Sequence, residues 1–262
     1  MSSKPAILIT GASSGIGAVY ADRFARRGHD LVLVARDAAR LEALAERLRR
    51  EAGVAVDVVQ ADLTRPTDLA AVETRLRADA RIGVLVNNAG AALNGSFVGQ
   101  TPDQMSDLIA LNVTALTRLS AAVAPRFAAS GAGTIVNIGS VVGFAPEFGM
   151  AVYGATKAFV QYLSQALHTE LGPKGVYVQA VLPAATRTEI WQRAGVDVNT
   201  LPAFMETDAL VDAALVGFDR RETVTIPPLP DDAQWSVYDR ARTAMIPNLG
   251  QVQPAARYRT AA

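Results

Sequence analysis

The sequence contains no cysteine and only two histidines, and its charges balance. Without cysteine the chain has no disulfide, no thiolate metal site and no cysteine nucleophile, and it is compatible with a reducing compartment. Lys plus Arg and Asp plus Glu both number 25. No net positive field is therefore available to hold nucleic acid or an anionic membrane, and we expect neither as a partner.

A long hydrophobic run is missing at the N-terminus. The stretch "MSSKPAILITGA" breaks at "TGASSG" after a few apolar residues, which is too short for a signal-peptide core or a membrane span. We therefore expect a soluble, cytoplasmic protein. The two histidines, His29 and His168, lie in helix-end patterns with no carboxylate cluster beside them. Neither a metal site nor a Ser-His-Asp hydrolase is supported.

Short apolar runs alternate with longer helical patterns along the chain. Unbroken Val/Ile/Leu runs between helices are typical of parallel strands buried on both faces. The pattern predicts an α/β fold of the Rossmann type, a doubly wound seven-stranded parallel sheet with helices on both faces. The predicted strands are 6–10, 30–35, 54–60, 83–88, 133–139, 176–182 and 223–226, and the predicted helices are 15–28, 37–52, 65–79, 102–130, 150–172 and 206–219.

No linker or repeat divides the sequence, so we expect one domain over residues 1–262. Within it, residues 184–205 form a looser substrate loop. Residues 227–262 are predicted as an irregular tail, because Pro227, Pro228 and Pro230 oppose a regular element there.

A glycine-rich loop follows the first predicted strand and opens a helix. Gly11, Gly15 and Gly17 have G-x-x-x-G-x-G spacing, and glycine lets backbone N–H groups approach a pyrophosphate at a helix N-terminus. The position between strand and helix makes this a strong indication of a dinucleotide site. We expect Ser13, Ser14 and Ile16 of the same loop to contact the cofactor.

The end of the second predicted strand selects the dinucleotide. A carboxylate there would bind the ribose 2′-OH of NAD, whereas this chain has Ala35 followed by Arg36. The guanidinium of Arg36, helped by the Ser13 hydroxyl, suits the 2′-phosphate of NADP. Asp37 competes, but it is predicted to cap the next helix. We predict NADP(H) in preference to NAD(H).

Two further segments follow strands at the carboxyl edge of the sheet, where ligands bind in such folds. "QADLT" offers the Asp62 carboxylate to the adenine amino group, with Leu63 beside it. "NNAG" places Asn88, Ala89 and Gly90 in a tight turn that suits a flat ligand, although an ordinary turn uses the same residues.

A tyrosine and a lysine stand four positions apart in "YGATK". On a helix, Tyr153 and Lys157 share one face. A cation ~5 Å away at an effective dielectric of ~20 is worth roughly 3 kcal/mol, enough to lower the phenol pKa from about 10 toward neutrality. The alternative is a solvated lysine beside a core tyrosine.

Together these residues resemble the classical short-chain dehydrogenases/reductases. "TGASSGIG", "NNAG", "LNVTAL", "NIGS" and "YGATK" occur in the order and at the distances of that family, over roughly residues 5–190. The resemblance implies that Ser140 binds the substrate carbonyl oxygen and that Tyr153 donates the proton. It implies that Lys157 holds the nicotinamide ribose, and that Asn112 supports a water connecting Lys157 to solvent.

The sequence departs from the family after the sixth predicted strand. The family usually has Pro-Gly there, but here Pro183 is followed by Ala184. Thr186 and Thr188 remain in register to meet the nicotinamide carboxamide. The added methyl leads us to expect a small shift in cofactor contact.

Apolar residues flank the predicted catalytic group and suggest the substrate class. The expected pocket residues beside Ser140 are Leu93, Phe144, Phe148 and Trp191. A hydrophobic ketone or aldehyde fits this lining better than a phosphorylated sugar, which calls for a basic patch. For any one of these residues, core or interface packing is an equally good explanation.

The resulting hypothesis is NADPH-dependent reduction of a carbonyl group, reversible as alcohol oxidation. NADP-linked epimerisation, reduction of a carbon–carbon double bond, and NADP sensing without turnover stay open. Members of the family usually pair through the fourth and fifth helices, so the resemblance implies a homodimer or homotetramer.

Overall fold

The computed structural model describes residues 4–197 and 203–259. As predicted, seven parallel strands form one sheet, and their order is β3-β2-β1-β4-β5-β6-β7. The strands are β1 (Ala6–Thr10), β2 (Leu31–Ala35), β3 (Val56–Gln60), β4 (Ile82–Asn87), β5 (Gly133–Ile138), β6 (Val176–Val181) and β7 (Val224–Thr225). The strand order reverses between β1 and β4, which makes the carboxyl ends of this pair the expected ligand edge.

The helices lie at or near the predicted positions, except for the seventh and the ninth, which were not predicted. They are α1 (Gly15–Arg26), α2 (Ala38–Ala52), α3 (Pro66–Ala78), α4 (Pro102–Ile109), α5 (Leu116–Ser130), α6 (Ala151–Leu171), α7 (Ile190–Arg193), α8 (Thr207–Asp219) and α9 (Asp232–Ala244). Asp37 caps α2 by accepting a hydrogen bond from Arg40 N at 3.0 Å. Gly53 and Gly131 end α2 and α5 in the left-handed conformation that favours glycine.

Each central strand divides its side chains between two cores. Ile7 and Ile9 of β1 face the core covered by α1, α2 and α8. Ala6 and Leu8 face the opposite core, covered by α3 and α5. Burial on both faces explains why β1 and β2 are unbroken apolar runs rather than alternating ones.

The helix predicted over 102–130 is interrupted. Between α4 and α5, residues Ala110–Ala115 are π-helical, and Asn112 lies within this π segment. A π turn inserts one residue into a helix and occurs frequently at functional sites. The whole stretch Pro102–Ser130 is apolar and long enough to cross a membrane by length and composition, and 44% of its most apolar window is buried. Leu119, Val123 and Phe127 of α5 pack into the core, as in the core helix of a globular domain.

The C-terminal region differs from prediction. The chain forms two compact units, the first ending at Pro228 and the second beginning at Leu229, and one domain stays a prediction. The tail predicted as irregular contains α9, so that prediction is wrong. The prolines all precede α9, and Asp231 caps it by accepting from Ala233 N at 2.9 Å. Proline blocks a helix only within its interior, not before its first turn.

Candidate active site

A cavity of about 670 Å³ opens at the carboxyl edge of the sheet, above β1 and β4. Every predicted cofactor residue except Gly17 lines it, as do three of the four predicted catalytic residues. The predicted residues in the lining are Gly11, Ser13, Ser14, Gly15, Ile16, Arg36, Asp62, Leu63, Asn88, Ala89, Gly90, Ser140, Phe148, Tyr153, Lys157, Thr186, Thr188 and Trp191.

The N-terminus of α1 faces this cavity without a side-chain cap. Ser14 is the N-cap residue but its side chain makes no capping hydrogen bond, and the first turn has no acidic residue. The first N–H groups of a helix need an acceptor, and the helix dipole favours an anion there. Gly11 and Gly15 adopt φ of 65° and 55°, which lets the loop backbone turn toward the cavity.

Gly17 does not line the cavity. A Cβ at this position would overlap the carbonyl oxygen of Gly11 and crowd the side-chain amide of Asn88. Gly17 therefore lets α1 pack against the loop, and its predicted direct contact with cofactor has no support in the cavity geometry.

Thr10, which the sequence analysis did not single out, fixes the "NNAG" turn. Its hydroxyl oxygen accepts hydrogen bonds from the backbone N–H groups of Asn88 and Ala89, both at 3.0 Å. In return the Asn88 side-chain amide donates to the Thr10 carbonyl at 2.8 Å. A polar residue ending the apolar run "AILIT" was the only available signal. These hydrogen bonds hold the ends of β1 and β4 in register beneath the cavity.

The far end of the cavity carries the predicted specificity residues. Arg36 and Ser13 both line it. Asp37 lines it too, but its side chain also caps α2. Burial raises the pKa of Asp62, but hydrogen bonds from the N–H and hydroxyl of Thr64, together with the nearby charges of Arg36 and Arg65, lower it below its ordinary value. Asp62 is therefore an ionised acceptor at neutral pH.

Tyr153 lies in the first turn of α6, opposite Ser140 at the end of β5. Burial raises the pKa of Tyr153 to about 12, and a hydrogen bond with Ser140 offsets this only in part. The predicted lowering of the phenol pKa is therefore wrong, because burial of the phenol raises the pKa above its ordinary value. The Lys157 ammonium nitrogen lies over the tyrosine ring, 5.6 Å from its centroid. Tyr153 is thus a proton donor at neutral pH.

Lys157 is buried beside the tyrosine. Its ammonium donates to the carbonyl of Ile138 at 2.9 Å, and burial lowers its pKa to about 8. The side chain is still mostly charged at neutral pH. A buried ammonium with a single protein acceptor has donors left for a ligand in the cavity.

Asn112 lies next to the site but does not line the cavity, and only 2% of its surface is exposed. Its side-chain oxygen accepts from Ala91 N, and its side-chain nitrogen donates to Ala91 O, each at 3.0 Å. A Cβ on Gly90 would lie 3.3 Å from the Asn112 oxygen and 3.7 Å from the Lys157 nitrogen. The two side chains therefore flank the same glycine.

Two of the predicted substrate residues miss the cavity. Phe148 and Trp191 line it, but Leu93 and Phe144 do not. The neighbouring residue Asn94 takes the place of Leu93, and the short 3₁₀ turn Val141–Gly143 presents Val141 and Val142 instead of Phe144. Met150 and Leu111 complete this apolar end.

The substrate loop is tied together by hydrogen bonds. The Trp191 indole N–H donates to the Thr186 carbonyl at 2.8 Å, and Thr186 pairs with Met205 in a parallel bridge. Ala184 lines the cavity where the family usually has glycine. Residues 198–202, within the loop predicted over 184–205, lie outside the described residues. Among residues 4–197 and 203–259, no group of three or more His, Asp or Glu is placed to hold a metal ion.

One cavity contains both a helix N-terminus that can bind an anion and a Ser–Tyr–Lys group. We expect this combination in a nicotinamide-dependent oxidoreductase. The chain matches the model of the short chain dehydrogenase family over residues 5–199. It belongs to that family, and the predicted resemblance is confirmed.

Relatives agree with this assignment. Human 17-beta-hydroxysteroid dehydrogenase type 3 is 34% identical over 198 residues, which are 75% of this chain and 64% of that protein. The chain thus spans just under two thirds of that curated relative. A short-chain dehydrogenase from Sphingobium yanoikuyae in complex with NADPH is 72% identical, with a TM-score of 0.96 over 97% of this chain and 100% of its own.

A second solved structure is the bulky-bulky ketone specific alcohol dehydrogenase from Comamonas testosteroni. It is 60% identical, with a TM-score of 0.92 over 98% of this chain and 99% of its own. Both solved relatives therefore match nearly the whole chain.

Replacing Lys157 by methionine tests the buried ammonium. The Lys157 pKa falls from 10.5 to about 8 on folding, so between these pH values the unfolded chain binds more protons and stability rises with pH. Across this window, cofactor-free wild type should gain up to about 3 kcal/mol in free energy of unfolding relative to Lys157→Met. Urea unfolding at several pH values measures the difference. Tyr153 is common to both proteins, so a difference that stays constant with pH would contradict the burial.

Proposed function

We propose that this protein reduces bulky, hydrophobic ketones to secondary alcohols with NADPH, and catalyses the reverse oxidation. The observation that carries the proposal is the buried, protonated phenol of Tyr153, paired with Ser140 at an apolar end of the cavity. The relatives with NADPH and with bulky-ketone specificity support the cofactor and the substrate class.

The cavity residues fit NADP(H). The uncapped first turn of α1 suits the pyrophosphate, and Arg36 with Ser13 suits the 2′-phosphate. The Asp62 carboxylate suits the adenine amino group, and the remaining donors of Lys157 suit ribose hydroxyls. When bound, the nicotinamide supplies the hydride.

Residues of this chain bind the carbonyl oxygen of the substrate and protonate it. In this structure the Ser140 hydroxyl donates to the carbonyl of Pro183 at 3.2 Å. Rotation about its side-chain bond would redirect that hydrogen to a ketone oxygen. The Tyr153 phenol then gives its proton to the developing alkoxide, and the nearby Lys157 ammonium stabilises the phenolate that forms.

Apolar side chains explain the preference for large ketones. Val142, Phe148, Met150 and Trp191 lie on the lining around Tyr153 and offer hydrophobic surface to two substituents. Met150 adopts φ of 59°, an uncommon conformation for a residue with a side chain, immediately before α6. Backbone conformations of this kind cluster at functional sites.

The other hypotheses lack comparable support. A protein that only senses NADP has no need for a buried proton donor paired with a serine. Epimerisation and double-bond reduction are not suggested by the two close solved relatives, one of which is described as an alcohol dehydrogenase for ketones.

We also propose a homodimer or homotetramer that pairs through the helices at Pro102–Ser130 and Ala151–Leu171. Ile109, Phe159 and Tyr162 expose apolar surface on these helices, with Tyr162 75% exposed. Light scattering in solution tests this assembly. Location in the cytoplasm stays a prediction from the sequence.

Replacing Tyr153 by phenylalanine removes the proton donor and keeps the ring. We expect kcat for aryl alkyl ketone reduction to fall by about 10³-fold, within the range for loss of a general acid. NADPH oxidation with a panel of aryl alkyl ketones and a phosphorylated sugar measures this and the substrate class. Tyr162→Phe, on an exposed position of the same helix, is the matched control. Unchanged turnover in Tyr153→Phe would overturn the mechanism.

Replacing Arg36 by aspartate reverses the charge expected at the 2′-phosphate. Loss of charge-assisted hydrogen bonds should weaken NADPH binding by roughly 10- to 100-fold and spare NADH. Arg50→Asp makes the same charge change at the far end of α2, so it should leave both affinities unaltered. Fluorescence titration with both cofactors gives the comparison. An unchanged preference in Arg36→Asp would remove Arg36 from the site.

A further inference from the structure

A buried hydroxyl lies between the two catalytic residues of α6. Thr156 is 3% exposed and does not line the cavity. Its hydroxyl donates to the carbonyl oxygen of Tyr153 at 2.7 Å and accepts from the side-chain nitrogen of Asn112 at 3.1 Å. Thr156 therefore links the helix that carries Tyr153 and Lys157 to the π segment that carries Asn112.

The direction of each hydrogen bond in this group is fixed by chemistry. The Asn112 side-chain oxygen must face Ala91 N–H, and its nitrogen must face the Ala91 carbonyl, so the amide has one possible orientation. The second hydrogen of that nitrogen then points to Thr156, which must accept it. The threonine hydrogen is consequently left for the Tyr153 carbonyl. No member can rotate without leaving a buried donor unpaired.

This group borders the catalytic lysine. The Asn112 side-chain oxygen and the Lys157 nitrogen lie on either side of Gly90, close to the position that a Cβ would take. A rotation of the Asn112 amide would therefore change which atom, oxygen acceptor or nitrogen donor, is presented toward the ammonium. An amide nitrogen in that place would repel the ammonium.

We propose that Thr156 is a positioning residue for the carbonyl reduction proposed above. Its hydroxyl holds the Asn112 oxygen toward the Lys157 side and holds the first turn of α6 against the π segment. The hydroxyl, rather than the volume of the side chain, carries the role. The proposal rests on the proposed function, because its main readout is turnover of a ketone.

Thr156→Val removes the hydroxyl and keeps the shape, and Thr156→Ser keeps the hydroxyl. The chain offers a matched control on the same helix. The Ser164 hydroxyl donates to the Val160 carbonyl at 2.7 Å and accepts from the Asn137 side-chain nitrogen at 2.9 Å, two turns from the site. Ser164→Ala therefore removes a buried hydroxyl with the same bonding pattern but no connection to Asn112.

We expect Thr156→Val to lower kcat about tenfold, the effect of leaving one buried donor unpaired, with KM for the ketone and Kd for NADPH within about twofold of wild type. Deuterium at the transferred position of NADPH should slow Thr156→Val more than wild type, because the chemical step becomes more limiting. Thr156→Ser should stay within about twofold of wild-type kcat. Ser164→Ala should lower Tm as much as Thr156→Val does, with kcat unchanged.

A double variant tests whether Thr156 acts through Asn112. Adding Thr156→Val to Asn112→Ala should lower kcat no further than Asn112→Ala alone. Thr156→Ala, which adds no volume, should repeat the loss in kcat of Thr156→Val. If the Thr156 variants lose stability as Ser164→Ala does while kcat and the isotope effect stay at wild-type values, Thr156 is only a structural residue. If the wild type itself reduces no ketone, the proposed function fails instead.

Discussion

The close approach of α6 to the turn after β5 is the constraint on which the site depends. At Gly143 a Cβ would lie 2.8–2.9 Å from the backbone of Lys157 and Ala158, nearer than real side chains approach. Only glycine fits, and its absent side chain lets the helix lie directly on the turn that begins with Ser140. Ser140, Tyr153 and Lys157 are thereby held in one group by backbone packing, together with the Ser140–Tyr153 hydrogen bond and the contact of the Lys157 ammonium with the tyrosine ring. Turn, helix and strand β5 act as one rigid support.

The close packing of α6 on the turn after β5 also buries Tyr153 and Lys157 and so shifts their pKa values. Burying the phenol and the ammonium together raises one pKa and lowers the other, and both are shifted by burial. At neutral pH the phenol is protonated and the lysine is still charged. Such a phenol can release its proton, and the ammonium beside it can stabilise the phenolate that results. Arg36 and Asp62, the charged groups proposed to contact the cofactor's 2′-phosphate and adenine, line the same cavity at the ends of β2 and β3, away from β5. Polar recognition and apolar chemistry are thus separated along one cleft.

The sequence was sufficient for the sheet and for most of the site because those features depend on local patterns. Buried strands appear as apolar runs, and the glycine loop and the Tyr–Lys pair occur at fixed spacings. Thr10 was missed because its importance comes from a partner 78 residues away, which no spacing reveals. Leu93 and Phe144 were misplaced because apolar composition near a site does not say which neighbour faces the ligand.

The pKa of the Tyr153 phenol and the C-terminal tail show two other limits of prediction from the sequence. Coulomb attraction across four residues predicted the wrong direction for the phenol pKa, since the expectation ignored the burial of both groups. The prolines at 227, 228 and 230 do interrupt the chain, but they end before Asp231 and leave α9 intact. The proline content predicted an interruption of regular structure, but it did not predict that the interruption ends before α9.

The π segment at Ala110–Ala115 has a consequence for the phase of the long helix. One inserted residue rotates everything after it by roughly 100° relative to an uninterrupted α-helix. The buried stripe of α5, with Leu119, Val123 and Phe127, takes its orientation from that rotation. Without the added residue, this stripe and Asn112, which donates a hydrogen bond to Thr156 of α6, would be rotated relative to each other by the same angle. The π segment thus lets one stretch of chain pack into the core through α5 and contact α6 through Asn112.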